Sequence, residues 1–137
     1  MRKSTINYLE SELIQYNSTQ KRMADLKEEI RYPWQEHDEN IGGGKSNTVG
    51  STTERQATSL LTDRRLAHMH RVSDAITSVY DNAQPIEREL MELLYFEKPR
   101  KYTVDGVIDK LNVSRATFFR LKKRVLINLA DELGIIH

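Results

Sequence analysis

The sequence predicts an all-α protein in three parts: an N-terminal helical hairpin over residues 1–34, a glycine-rich linker over 35–53, and a segment over 54–137 that joins a long helix to further helices. Three observations carry this expectation. Apolar residues recur at spacings of three and four in one stretch after another, which is the period of a helix face. Alternating β-branched runs are few and prolines number only three, so strands have little support. Between the periodic stretches lies an interval rich in Gly, Ser, Thr and Asn, a composition that favours turns over burial.

In chain order, Ser4 is placed to cap a first helix with Leu9, Leu13 and Tyr16 along one face, broken near Tyr16-Asn17-Ser18-Thr19. A second helix runs from about Thr19 to Ile30 on Met23, Leu26 and Ile30. It stops before Pro33, because the residue preceding proline avoids helical angles. Trp34 reads as a packing anchor at the end of the hairpin. The linker holds Gly42-Gly43-Gly44-Lys45-Ser46, which lacks the first glycine of a phosphate loop and neither follows a strand nor opens a periodic helix, so no nucleotide site is expected. Glu54 to Tyr80 has no Pro or Gly and carries Ala57, Leu61, Val72, Ala75, Ile76 and Val79, the makings of one long helix. Arg64, His68 and Arg71 form a polar stripe on it that reads as a solvated face. Pro85 opens the next helix, with Ile86, Leu90, Leu93, Leu94 and Phe96 as its packing side.

The stretch from Tyr102 to Leu133 says most about function. Thr103 is a cap for a helix with Val104, Val107, Ile108 and Leu111 on one side. Asn112 suits the left-handed conformation of a helix end, Val113 can fill the angle between two helices, and Ser114 caps the next helix. There Phe118, Leu121, Val125 and Leu129 form the packing row. Ala116, Phe119, Arg120 and Lys123 fall on the roughly opposite face, with Arg115, Thr117 and Arg124 on its flanks. Helix, three-residue turn and basic helix is the layout a DNA-reading helix-turn-helix requires. Arginine can bond two acceptors of guanine, Phe or Ala can touch a thymine methyl, and Lys, Thr and the helix N-terminus can hold phosphates. The expected DNA contacts are therefore Arg115, Ala116, Thr117, Phe119, Arg120, Lys123 and Arg124, with Lys98, Arg100, Lys101 and Thr103 on the backbone. Ile108 is larger than the residue such helix crossings usually hold, and Ile127 falls on the polar side.

Charge agrees with this assignment. Lys98 to Arg124 holds nine basic residues against Asp105 and Asp109, a net +7, inside a chain whose total is +1. Localised basicity of this kind is the footprint of a polyanion site. No apolar run approaches membrane-spanning length and Met1 to Tyr16 has no signal-like core, so a cytoplasmic protein with no membrane partner is expected. Without cysteine there is no disulfide, thiolate nucleophile or Cys-type zinc site. Asp105 and Asp109 share a face amid basic residues and read as charge screening; His68 and His70 diverge on a helix, His37 falls in a loop and His137 is terminal. No enzyme activity, catalytic residue, metal or cofactor is expected.

The run Pro85-Ile86-Glu87-Arg88-Glu89-Leu90 with Leu94-Tyr95-Phe96, followed by the helix-turn-helix, resembles the fourth, DNA-binding region of bacterial sigma factors. The whole chain resembles the RinA/ArpU group of phage late transcriptional activators through Leu9-Glu10-Ser11-Glu12-Leu13, Tyr32-Pro33-Trp34, Asp38-Glu39-Asn40-Ile41-Gly42-Gly43 and Leu129-Ala130-Asp131-Glu132-Leu133-Gly134. The resemblance implies a phage or prophage activator in the bacterial cytoplasm that binds double-stranded promoter DNA, assists host RNA polymerase and turns on late packaging and structural genes. Two other readings compete. A small terminase subunit would place the helix-turn-helix first and the oligomerisation segment after it, the reverse of this order; an adaptor would use the long helix for a protein partner. Because one helix-turn-helix buries little DNA surface, a homodimer or higher homo-oligomer is expected, held by the N-terminal hairpin and the long helix.

Overall fold

The computed structural model describes residues 1–31 and 48–137, and all regular structure in them is helical. The helices are α1 (Lys3–Ile14), α2 (Tyr16–Arg31), α3 (Thr48–Asn82), α4 (Pro85–Met91), α5 (Val104–Leu111) and α6 (Arg115–Leu133), and α4 runs on into a π-helical turn, Glu92–Phe96. The Pro33-Trp34 corner and the Gly42–Gly44 linker lie outside the described residues.

The N-terminal helices do not form the expected hairpin. A single residue, Gln15, separates α1 from α2, and its right-handed angles (φ −86°, ψ −1°) carry the chain on with a break instead of turning it back. An antiparallel return needs a loop of two to five residues. Each helix instead finds a partner further along the chain: α1 packs on α6 and the π turn, α2 along α3. α2 also begins at Tyr16, ahead of the predicted Thr19. Long-range bonds hold that polar stretch helical: Tyr16 Oη lies 2.8 Å from Thr77 Oγ1, and Asn17 Nδ2 donates to the Phe96 carbonyl at 3.1 Å. Ser4 does not cap α1, because the helix starts two residues earlier than that cap requires, with Arg2 in the capping position and no side-chain cap bond.

One core unites both ends of the chain. Leu9 and Leu13 of α1 are fully buried in the same cluster as Val72 and Ile76 of α3, Leu90 and Met91 of α4, Val107 of α5, and Phe118, Val125 and Leu129 of α6. α1 is therefore an integral layer of the fold, and its leucines Leu9 and Leu13 are already spent on this chain's own interior. α3 takes in Thr48 to Thr53, six residues that composition assigned to the linker, and its 35 residues span about 52 Å. Among its described side chains, the buried ones lie between Val72 and Val79; Leu60 and Leu61 remain more than half exposed. Arg71, expected in a solvated stripe, is a structural donor: its Nη2 reaches the Leu133 carbonyl at 2.7 Å and closes the C-terminus of α6 beside left-handed Gly134.

Tyr95 lies in the π turn and is buried, a core residue that the predicted packing side of α4 omitted. The extra residue per turn moves it from the next position of an α-helical row onto α1, where its hydroxyl donates to Glu10 Oε1 at 2.9 Å. Glu10 Oε1 also pairs with Lys122 Nζ at 2.7 Å, so one carboxylate joins α1, the π turn and α6. Burial first, and the Glu10 charge second, push the Tyr95 hydroxyl well above the ordinary tyrosine range.

Leu9→Ala and Phe118→Ala should both lower one cooperative unfolding transition, by about 2–5 and 3–5 kcal/mol respectively in chemical denaturation. Two separate transitions would contradict the shared core. As pH rises past about 10, the unfolded chain releases the tyrosine proton that folded Tyr95 keeps, so this group's contribution to stability falls with alkalinity. Tyr95→Phe should flatten that alkaline slope in denaturation curves collected from pH 8 to 11.

Candidate nucleic-acid interface

The unit formed by α5, its turn and α6 is built by three short-range devices. Thr103 Oγ1 accepts from Gly106 N at 3.2 Å and caps α5. Asn112 ends that helix in the left-handed conformation (φ 54°, ψ 48°), which a short polar side chain tolerates. Ser114 Oγ accepts from Thr117 N at 3.1 Å and starts α6. Val113 packs partly buried against the core between the two helices, and Ile108 is accommodated as a core residue despite its size.

α6 is anchored on two rows. Phe118, Leu121, Val125 and Leu129 are buried as their spacing predicts; Leu126, Ala130 and Leu133 are buried as well, and the single-row reading missed them. Leu126 lies around the helix from the first row, beside Met1 and Ile6, and no local periodicity announces a partner more than a hundred residues away in sequence. What remains exposed is the face bearing Arg115, Ala116, Phe119, Arg120, Lys123 and Arg124, with Thr117 and Ile127 half-buried at its margin. Phe119, a large apolar side chain, is 43% exposed there. It packs edge-on against buried Phe118 with ring centres 5.2 Å apart, and the Arg115 guanidinium lies 5.3 Å from its ring centre.

Ion pairs divide the basic residues into tied and untied. Arg115 Nη1 meets Asp105 Oδ1 at 2.7 Å, Arg124 Nη1 meets the buried carboxylate of Glu87 at 3.1 Å, and Lys101 Nζ lies 3.6 Å from Glu97 Oε1. Lys98 Nζ donates to Ser18 Oγ at 3.3 Å and Arg100 Nε to the Tyr102 carbonyl at 3.0 Å. Arg120 Nη2 donates only to Thr117 Oγ1, at 3.1 Å, and neither Arg120 nor Lys123 has a carboxylate partner among the described residues. Exposed pairs such as Arg115 with Asp105 are worth about 1 kcal/mol or less, so a phosphate can replace the carboxylate at little cost. Arg124 is held more firmly, since releasing it would strand a buried Glu87.

The predicted residues on α6 thus come together on one face, and Lys98, Arg100 and Lys101 sit exposed on the connection into α5. Thr103 is committed to its cap. Glu87, Glu10 and Lys122 were not singled out in the sequence; carboxylates that orient basic residues carry no spacing signal. Among the described residues no cluster of His, Asp and Glu could hold a metal ion, and no helix is long and apolar enough to cross a membrane.

Capped helix pairs presenting a basic, aromatic-bearing face from an all-helical core define the class of this molecule. The chain matches, over residues 3–131, a family model described as "Protein of unknown function (DUF722)". It is 34% identical over 131 residues to the "Transcriptional activator rinA" of Staphylococcus phage phi11, an alignment spanning 96% of this chain and 91% of that protein. The chain belongs to this RinA-like family. No solved structure matches it.

Ser114→Ala and Thr103→Ala should each cost about 1 kcal/mol of stability through the lost cap, read as a lower denaturation midpoint with an unchanged slope.

Proposed function

We propose that this protein is a phage or prophage transcriptional activator that binds promoter DNA by laying α6 in the major groove, with α5 and α6 as the two arms of a helix-turn-helix. The observation that carries the reading is the exposed face of α6, where Arg120 and Lys123 have no carboxylate partner and Phe119 stands beside them. An arginine so placed can take the O6 and N7 of a guanine, and an exposed ring suits a thymine methyl. Arg115 exchanges Asp105 for phosphate on docking, and Lys98, Arg100 and Lys101 follow the backbone. The activator named among its relatives supports a role at promoters, and the resemblance to the late-activator group points to packaging and structural genes, transcribed by the host RNA polymerase. The active species in this proposal is a homodimer. Its contact runs along the free part of α3 around Leu60 and Leu61, because the leucines of α1 are occupied within the chain.

Arg120→Ala should weaken binding to the preferred duplex by about 1–3 kcal/mol and relax base preference at one position. Selection from a random duplex library, followed by titration, checks both; unchanged affinity and preference would remove Arg120 from the reading face. Loss of Lys98, Arg100 or Lys101 should weaken all sequences alike and lower the salt slope by about one unit per contact. Light scattering of the full chain and of Leu60→Glu/Leu61→Glu tests the dimer, which should persist at micromolar concentration in the first and dissociate in the second.

A further inference from the structure

The exposed face of α6 does not end at the helix. Phe119, Lys122, Lys123 and Leu126, at steps of three, one and three, form one wall of an open groove, and Met1 and Ile6 from the start of α1 form the other. The groove has an apolar floor and a basic rim. Arg2 and Lys3 follow Met1 directly, are both exposed, and make no ion pair among the described residues. Lys122 is oriented by Glu10, which leaves Lys123 as the lysine of the groove wall without an ion pair, while Arg2 and Lys3 adjoin the groove only through their neighbour Met1.

We propose that the nucleic-acid surface continues across this groove, and that Arg2 and Lys3 bind duplex phosphates flanking the site that α6 reads. The inference rests on the DNA-binding reading above and extends it to a part of the chain that carries no recognisable DNA-binding pattern of its own. When a recognition helix enters the major groove, its N-terminal residues meet base edges and the surroundings of its later turns meet the sugar-phosphate wall. Lys123 and Leu126 lie in those later turns, so a basic segment seated beside them faces phosphate. Phosphate contacts of this kind fix register without reading sequence. The position of Arg2 and Lys3 is set by the core: Leu9 and Leu13 are fully buried, and Glu10 ties the same helix to α6 through Lys122 and to the π turn through Tyr95. The two cations are therefore presented from a fixed helix end, and little ordering is lost on binding.

The test uses the full chain as wild type and three variants: Arg2→Ala/Lys3→Ala, the conservative Arg2→Lys/Lys3→Arg, and Arg120→Ala. Affinity for a duplex carrying the selected site is measured from low to physiological salt, with thermal melting of each protein alongside. The alanine pair should melt like wild type, keep its base preference and lower the salt slope by about two units, while the conservative pair keeps the slope. On a duplex truncated just beyond the α6 site on the flanking side, wild type should bind no better than the alanine pair. If wild type shows Arg120-dependent preference but the alanine pair keeps the full salt slope, the proposal is overturned and the reading of α6 stands. If wild type binds no duplex even at low salt, both fall. A loss confined to one sequence would also overturn it, since it would make these residues base readers.

Discussion

The burial of α6 on two sides sets what the rest of the molecule can do. A 19-residue helix with one buried row would expose most of its circumference; a second row, Leu126, Ala130 and Leu133, reduces the exposed part to roughly half a turn of arc. α6 packs against α3, α4 and α1, and Leu126 borders Met1 and Ile6, so the orientation of the free face depends on a helix from the opposite end of the chain.

Electrostatics refines what packing leaves exposed. Every tied cation of α6 has its carboxylate on a different element: Asp105 on α5, Glu87 on α4 and Glu10 on α1. These pairs act as inter-element fasteners as well as screens. They give the side chains of Lys122 and Arg124 defined directions, with the stronger hold on Arg124 coming from the burial of Glu87, whereas the exposed pair of Arg115 with Asp105 is looser. The cations without such partners are the ones free to change direction on contact.

Much of this was legible in the sequence, and the failures have a common cause. Thr103, Asn112, Ser114 and the Phe118 to Leu129 row are local devices: a hydroxyl one turn from an amide, a short side chain at a left-handed position, a spacing of three and four. Local physics decides each of them, and each appears as read. The hairpin and the Ser4 cap were wrong, and the bond that Arg71 makes from its exposed stripe was not read, because distant groups decide them. Tyr16 is helical through Thr77, and Arg71 turns to the far end of α6. Tyr95 escaped because a π turn shifts the phase of a helix by one residue, and nothing in Glu92–Phe96 marks that shift as Pro or Gly would mark a break. The face of α6 was readable because its outline is a periodicity; its boundary with α1 was not, because that boundary is a tertiary contact.

The long helix has a mechanical consequence. From Glu54 to Tyr80 α3 contains neither proline nor glycine, its buried core residues among those described lie between Val72 and Val79, and Arg71 at the edge of that region grips the end of α6. Such an element is a lever with its fulcrum inside the core. A load applied near Leu60, about one-third of the way along from Thr48, reaches the core without a hinge to absorb it, and the lever's short arm ends among the residues that seat α6.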